Sequence, residues 1–170
     1  ERSRRQRQMC IRDRIRTFIK DELISLEPWI VNSEWSEKLP KLNELRDKVK
    51  KMGFWLPQVS KEYGGLGLSL EQHGEVSEIL GASPYGFYVF NCQAPDAGNM
   101  EVLIETGTEE QKQQYLYPLL EGKIRSCFAM TEPQYAGSNP TRMGTTAKKE
   151  NDNYIITVSY THLRAHETSA

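Results

Sequence analysis

Residues 128–139 read FAMTEPQYAGSN, and the pattern of the chain changes at this stretch. Small and bulky residues alternate from Arg125 to Thr131, which is typical of a β-strand, and Pro133 disfavours a helical conformation for the residue before it. The small residues Ala136 to Ser138 then predict a turn whose backbone N–H groups can approach an anionic or polar ligand. This pattern indicates a strand that delivers Thr131 to a ligand-binding loop, although composition alone supports a plain surface turn about as well.

The residues before this stretch have the spacing of α-helices. Apolar residues recur three and four positions apart in residues 15–26 and again in residues 41–52, after which Gly53 is placed to end the helix. We expect residues 15–122 to be mostly helical, with the stretch 83–98, rich in Pro, Gly and aromatic residues, forming a buried, irregular or broken helix. One core is expected to hold the apolar side chains of Leu42, Leu45, Val49, Trp55, Leu56, Val76, Ile79, Leu80, Val102, Leu103, Leu116 and Leu119.

Two capping boxes mark helix starts in the second half of this region. Ser69 precedes Gln72 by three positions, and Thr108 precedes Gln111 by three, so that each pair predicts reciprocal bonds at a helix N-terminus. Beyond residue 122 the spacing changes, and residues 144–148 and 154–157 indicate further strands. Helices followed by strands indicate an α+β protein or two separate domains.

Composition and charge exclude several classes of protein. The 22 Lys and Arg residues nearly balance the 23 Asp and Glu residues, giving a net charge of −1, so nothing electrostatic favours nucleic acid or a membrane surface as a partner. The longest uncharged stretch, residues 79–95, contains Gly, Pro, Asn and Gln and does not suit a membrane span. Three cysteines make no disulfide framework, and we expect Cys92 and Cys127 to be buried thiols. The sequence shows neither a glycine-rich nucleotide loop nor a metal-binding pattern.

The two ends of the chain differ from the middle. Codons for residues 158–162 can be chosen so that their reverse complement encodes residues 9–13, as expected for the two ends of a tagmented DNA fragment. Both ends resemble translated sequencing adapter, so we expect residues 1–14 and 158–170 to be non-native tails that make few packing contacts. Helix-forming residues would still allow a helix through residues 5–27. The alternative is a genuine basic arm, since residues 1–14 contain six Arg.

Several motifs together resemble one enzyme family. Residues 128–139 are similar to the flavin-binding signature of acyl-CoA dehydrogenases, in which a strand with Thr-Glu-Pro precedes a turn of small residues, Ser and Asp. The stretches 63–67, 107–112 and 117–122 are similar to motifs that occur in the same order in that family. Residues 91–101 resemble the branch whose animal members can carry an added kinase-like domain. The resemblance covers about residues 15–156, with two departures: Tyr135 lengthens the turn, and Asn139 replaces the usual Asp.

The resemblance implies a fold and a set of site residues. The fold is a mainly α N-terminal domain over residues 15–122, followed by residues 123–157 as the truncated start of a flavin-binding β-domain. FAD is the implied cofactor, with Ser138 also facing the acyl-CoA substrate. The residues implied to bind FAD are Phe128, Ala129, Met130, Thr131, Glu132, Pro133, Gly137 and Ser138. The family's catalytic base lies on a C-terminal domain beyond this chain, so the 170 residues alone are expected to be inactive.

The resemblance also implies an activity. The full-length protein would oxidise an acyl-CoA thioester to an enoyl-CoA, pass the electrons to an electron-transfer flavoprotein, and form a homo-oligomer. Its location would be cytoplasmic in a bacterium and mitochondrial or peroxisomal in a eukaryote. Two alternatives stay open: a flavin oxidase or monooxygenase of the same fold, because fold does not fix chemistry, and a non-catalytic helical interaction module with a β-appendage.

Overall fold

A computed structural model describes residues 2–135 and 139–157, which form two compact units, one ending at Ser126 and the other beginning at Cys127. The first unit is helical, as the periodicity of its sequence predicts. Its α-helices are α1 (Arg2–Phe18), α2 (Glu27–Asn32), α3 (Trp35–Met52), α4 (Leu70–Leu80), α5 (Gly86–Val89), α6 (Asp96–Thr106), α7 (Glu109–Gln111) and α8 (Tyr117–Leu120). The π-helical segments Ile19–Leu23 and Lys112–Leu116 and the 3-10 segments Ile24–Leu26 and Lys61–Tyr63 complete the unit. Among the described helices, none combines the length and the apolar composition that crossing a bilayer requires.

Local hydrogen bonding explains where these helices begin and end. The capping boxes at Ser69 and Thr108 are both formed, each hydroxyl accepting from the backbone N–H three residues later. Glu34 caps α3 in the same way through its carboxylate. Gly53 adopts the left-handed conformation (φ 75°) and ends α3, because a residue without a Cβ enters that region at no steric cost.

The buried apolar residues form two clusters rather than the single core that we expected. The first cluster lies among α1, α3, α4 and α5, and the second joins α6 to α8 and includes Leu56, Met100 and Leu116. Trp55 packs against both clusters. The prediction for Val102 is wrong: its side chain is 57% exposed. Helix α6 buries Asp96 and Met100 four positions apart, and Val102 falls on the opposite face.

Residues 11–14 of α1 pack more closely than we expected of a non-native tail. Ile11 is half-buried against the first cluster, one turn before the fully buried Ile15, and so extends the same apolar stripe. Arg12 forms a salt bridge of 3.1 Å with Glu75, and the Arg14 guanidinium lies 4.8 Å from the centre of the Phe54 ring. For residues 11–14 the contacts therefore exceed that expectation, while the side chain of Met9 lies outside the described residues. The other predicted tail, residues 158–170, lies outside the described residues.

The second unit contains one antiparallel hairpin. Its strands are β1 (Thr146–Glu150) and β2 (Asn153–Thr157), with Thr146 opposite Thr157 and Glu150 opposite Asn153. The predicted strand at residues 125–131 does not form, because an extended segment becomes a strand only by regular pairing with a neighbour, and the two described strands pair with each other. Cys127 is exposed, so the prediction that it is a buried thiol is also wrong.

Candidate flavin-binding loop

Six of the eight residues that the resemblance assigns to the flavin, residues 128–133, are described by the structure. They form an irregular segment in which Phe128 is 65% exposed, Thr131 is exposed and Met130 is half-buried. Ala129 and Pro133 are exposed as well. The remaining two predicted residues, Gly137 and Ser138, lie outside the described residues. The described part of the segment thus presents an aromatic ring and a hydroxyl on its surface.

Glu132 is the exception, because its side chain is only 4% exposed. One carboxylate oxygen accepts the Thr145 N–H at 2.7 Å and the Thr145 hydroxyl at 2.5 Å, and the other accepts the Gly144 N–H at 2.5 Å. The Thr145 hydroxyl and then the Gly144 N–H hold the pKa of Glu132 below its usual range and outweigh the opposing effect of burial. The side chain is therefore an ionised internal acceptor that ties residue 132 to residues 144 and 145.

Gly144 leaves no room for a side chain at this contact. A Cβ added there would lie 2.5 Å from the Tyr135 ring and 3.1 Å from the nearer Glu132 carboxylate oxygen. Tyr135 in turn donates its backbone N–H to the Glu132 carbonyl at 3.3 Å, which closes a tight turn. The approach of the Gly144 N–H to the carboxylate thus depends on the missing Cβ.

Asn139, the departure from the family pattern, keeps an acceptor role. Its side-chain oxygen accepts the Thr141 N–H at 3.1 Å and the Thr141 hydroxyl at 2.7 Å, at the start of the 3-10 turn Pro140–Arg142. An Asp carboxylate would accept the same two bonds, so the amide suffices for this local turn.

A buried acid in the helical unit fixes the chain just before the candidate loop. Asp96 is fully buried, and one of its oxygens accepts the Ser126 N–H at 2.8 Å and the Ser126 hydroxyl at 2.6 Å. The other oxygen accepts from Arg125 Nε at 2.5 Å and from Gln93 Nε2 at 2.9 Å. Burial raises the pKa of Asp96, but the bonds from Ser126 and Arg125 outweigh it, and the pKa lies below its usual value. The sequence shows only one signal of this role, an acid inside a largely apolar stretch.

Arg46, on α3, is a second buried charge, and it contacts the chain just after α8. Its guanidinium lies 5.1 Å from the centre of the Trp55 ring and 4.7 Å from that of Tyr88, so two aromatic rings contact the cation. It also donates to the Asn91 side-chain oxygen at 3.3 Å and to the Gly122 carbonyl at 3.4 Å. Among the described residues, no carboxylate forms an ion pair with Arg46, so two aromatic rings and two neutral acceptors compensate its charge.

Asn91 extends this network to the last turn of α8. Its side-chain amide donates to the Leu119 carbonyl at 3.1 Å and to the Leu120 carbonyl at 3.2 Å, while the Trp55 indole N–H donates to the Leu120 carbonyl at 2.8 Å. These donors satisfy carbonyl groups that a helix C-terminus leaves without intrahelical partners. The network therefore fixes the path of the chain as it leaves the last helix.

The buried Cys92 thiol is not a candidate nucleophile. Burial raises the pKa of Cys92 to about 12, so the thiol stays protonated at neutral pH. Its sulfur lies 3.7 Å from the Phe87 carbonyl oxygen, inside the first apolar cluster. We interpret Cys92 as a packing residue, as the sequence predicts.

The chemistry of the candidate loop fits a flavin ring. An isoalloxazine is flat and apolar on its faces and carries donors and acceptors on its edge, and Phe128 and Met130 offer apolar surface beside the Thr131 hydroxyl. The Glu132 charge is turned inward, away from the exposed surface of the segment. The described residues are thus suited to contact such a group through their apolar side chains and one hydroxyl.

Comparison with known proteins places the chain in one family. The family model described as the N-terminal domain of acyl-CoA dehydrogenases matches residues 5–123. The mouse protein named acyl-CoA dehydrogenase family member 10 is 43% identical over 150 residues, which make up 82% of this chain and 14% of that protein. Human acyl-CoA dehydrogenase family member 11 is 37% identical over 155 residues, which make up 84% of this chain and 19% of that protein.

A solved structure supports the same assignment at the level of the fold. A protein of Mycobacterium abscessus that is assigned to the acyl-CoA dehydrogenases superposes with a TM-score of 0.78 at 37% identity, over 88% of this chain and 40% of that one. The chain thus spans less than a fifth of the two animal relatives and less than half of the mycobacterial protein. The family model, the two relatives and the solved structure agree, and the chain belongs to the acyl-CoA dehydrogenase family.

Proposed function

We propose that this chain supplies the N-terminal helical domain and the first part of the flavin-binding domain of an FAD-dependent acyl-CoA dehydrogenase. The full-length protein would convert an acyl-CoA to an enoyl-CoA and pass the electrons to an electron-transfer flavoprotein. One observation carries the proposal beyond family membership: in the segment 128–133, Phe128 and Thr131 are exposed while the charged Glu132 is turned inward. That arrangement suits a flat, uncharged ring with a polar edge.

The roles of the chain's own residues follow from their chemistry. FAD, when bound, supplies the acceptor for the hydride that leaves the substrate's β-carbon. Thr131 would bond the polar edge of the ring through its hydroxyl, and Phe128 and Met130 would keep water from the ring beside it. Both oxygens of Glu132 already accept hydrogen bonds, and its lowered pKa makes it a weak base. Removal of the substrate's α-proton is therefore assigned to a carboxylate elsewhere in the full-length protein.

Three further features belong to the same proposal. Ser138 would contact the acyl-CoA, and the turn that contains Gly137 would contact FAD. The full-length enzyme would be a homo-oligomer. It would lie in the cytoplasm of a bacterium, or in mitochondria or peroxisomes of a eukaryote.

Flavin titration of the full-length gene product tests the proposal. The wild type is expected to be yellow and to bleach when acyl-CoA is added. Thr131→Val removes one hydroxyl at nearly constant volume, and losing a hydrogen bond of about 1 kcal/mol weakens flavin binding about fivefold. Thr131→Ser keeps the hydroxyl and serves as the matched control. Equal affinity and an unchanged absorbance spectrum in Thr131→Val would show that Thr131 is only a structural residue.

The same preparation separates the alternative functions. Oxygen consumption that accompanies bleaching would favour a flavin oxidase or monooxygenase of the same fold. A folded full-length product that retains no FAD after the free flavin is removed by gel filtration would favour the non-catalytic interaction module.

A further inference from the structure

The buried carboxylate of Glu132 has donors drawn from a distant part of the chain. An ionised carboxylate is costly to bury unless hydrogen bonds compensate for the lost water, and Glu132 accepts three of them at 2.5 to 2.7 Å. The donors lie 12 and 13 residues further along the chain, at Gly144 and Thr145. The contact therefore joins the candidate loop to the residues that lead into β1, and it is not a local turn.

The position of Glu132 in the chain connects this contact to the candidate ligand surface. Thr131 and Glu132 lead into the turn of residues 132–135. Adjacent side chains of an extended chain point to opposite sides, and here Thr131 is exposed while Glu132 is buried. Pro133 further disfavours a helical conformation at Glu132. Holding the Glu132 side chain inward therefore holds the neighbouring Thr131 side chain outward.

We propose that Glu132 is a positioning residue for flavin binding, whose contact with Gly144 and Thr145 orients the Thr131 hydroxyl toward the ring. This inference rests on the proposed function, because it needs a flavin at Thr131. It assigns Glu132 a role through its neighbour, without requiring its carboxylate to touch the cofactor or the substrate. The same contact requires a glycine at position 144, because a Cβ there would crowd the Glu132 carboxylate and the Tyr135 ring.

The first experiment measures the contact without flavin. Amide hydrogen exchange at Gly144 and Thr145 is compared in the wild-type 170-residue chain and in Glu132→Gln, whose amide N–H2 turns one acceptor into a donor. Loss of a charge-assisted hydrogen bond is expected to speed Gly144 exchange about tenfold. Glu150→Gln removes an equal charge from the exposed surface of β1 and should leave exchange at Gly144 unchanged. Unchanged exchange in Glu132→Gln would overturn the inference.

The second experiment measures flavin affinity and absorbance in the full-length gene product. Thr145→Val removes the hydroxyl donor, Thr145→Ser keeps it, and the pair remains informative if Glu132→Gln does not fold. We expect Thr145→Val to weaken flavin binding about fivefold and to shift the absorbance bands, with Thr145→Ser close to wild type.

A purely structural role predicts a lower melting temperature with an unchanged flavin spectrum in the folded protein, and that result would overturn the inference alone. A folded wild type that binds no flavin would overturn the proposed function and this inference together. The exchange experiment would still show in that case whether the contact itself forms.

Discussion

Replacing Asp96 by Asn tests the network that fixes the chain before the candidate loop. The substitution keeps the size of the side chain and one oxygen that can accept the two bonds from Ser126. The NH2 group of Asn would face Arg125 Nε and Gln93 Nε2, which now donate to the second oxygen of Asp96 at 2.5 and 2.9 Å. The hydrogen bonds from Arg125 Nε and Gln93 Nε2 to a charged acceptor are therefore lost, and these two donors then face the NH2 group of Asn, which is itself a donor.

The size of the effect follows from burial. A hydrogen bond to a charged group contributes about 1.5–3 kcal/mol, but the Arg125 side chain is 43% exposed and regains water when its partner is lost. We therefore expect Asp96→Asn to lower the free energy of unfolding by about 2–3 kcal/mol. A domain is stabilised by only about 5–15 kcal/mol, so the loss is readily measured.

Urea denaturation, followed by circular dichroism, measures this loss as a lower midpoint with an unchanged slope. The pKa of Asp96 is lowered in the folded state. The carboxylate therefore stabilises the fold fully above its unfolded pKa of about 3.9, and this contribution is lost as the pH falls through the folded pKa. The free energy of unfolding of Asp96→Asn should lie below that of the wild type by a constant amount near neutral pH, and this difference should shrink in acid.

The control is Asp47→Asn, which removes the same charge from an exposed position on α3 and should change stability by less than about 0.5 kcal/mol. The reasoning is refuted if Asp96→Asn changes the free energy of unfolding at neutral pH as little as Asp47→Asn does. A difference that persists undiminished below about pH 3 would refute the charge-based part of it.

Two further substitution and labelling experiments address the core. Gly86→Ala should destabilise the helical unit by about 2–3 kcal/mol, because a Cβ there would clash with the Leu80 carbonyl oxygen at the end of α4. Gly98→Ala is the control and should be neutral or stabilising, since nothing lies within 4 Å of the added Cβ. Thermal melts that show equal effects would contradict the steric argument. A thiol reagent at neutral pH should modify the exposed Cys10 and Cys127 and leave Cys92 intact, since Cys92 is buried and its pKa is raised to about 12; mass mapping that finds Cys92 modified first would disprove its burial.

The helical part of the fold can be predicted from the sequence because its signals are local. Ser69, Thr108 and Gly53 act on backbone groups within one turn, and all three form the caps that their positions predict. The family resemblance, which depends on ordered motifs, is confirmed by the family model and by the solved structure. The bounds of the non-native tails stay a prediction.

The errors arise where structure depends on distant partners. Residues 125–131 have the composition of a strand, but strand formation needs a pairing neighbour that periodicity does not reveal. The single-core prediction failed at Val102 because helical spacing alone does not say which face of α6 is packed.

In the candidate site, too, the sequence predicts what depends on neighbouring residues and misses what depends on distant ones. The motif locates Phe128 and Thr131, whose exposure fits the proposed role, but their contact with FAD stays a prediction. The inward direction of Glu132 depends on donors 12 and 13 residues away, and the Asp96 network on Ser126, 30 residues away. No short-range pattern in the sequence identifies the partners in either contact.

Trp55, which packs against both apolar clusters, has a consequence for cooperativity. Two clusters in one helical unit can melt as two transitions unless shared contacts couple their free energies. The Trp55 ring supplies such a contact, and its indole N–H also bonds the carbonyl of Leu120, 65 residues away. The Trp55 ring thus couples the free energies of the two clusters. Opening of α8 is expected to change the Trp55 fluorescence, which is read alone once Trp29 and Trp35 are replaced by Phe.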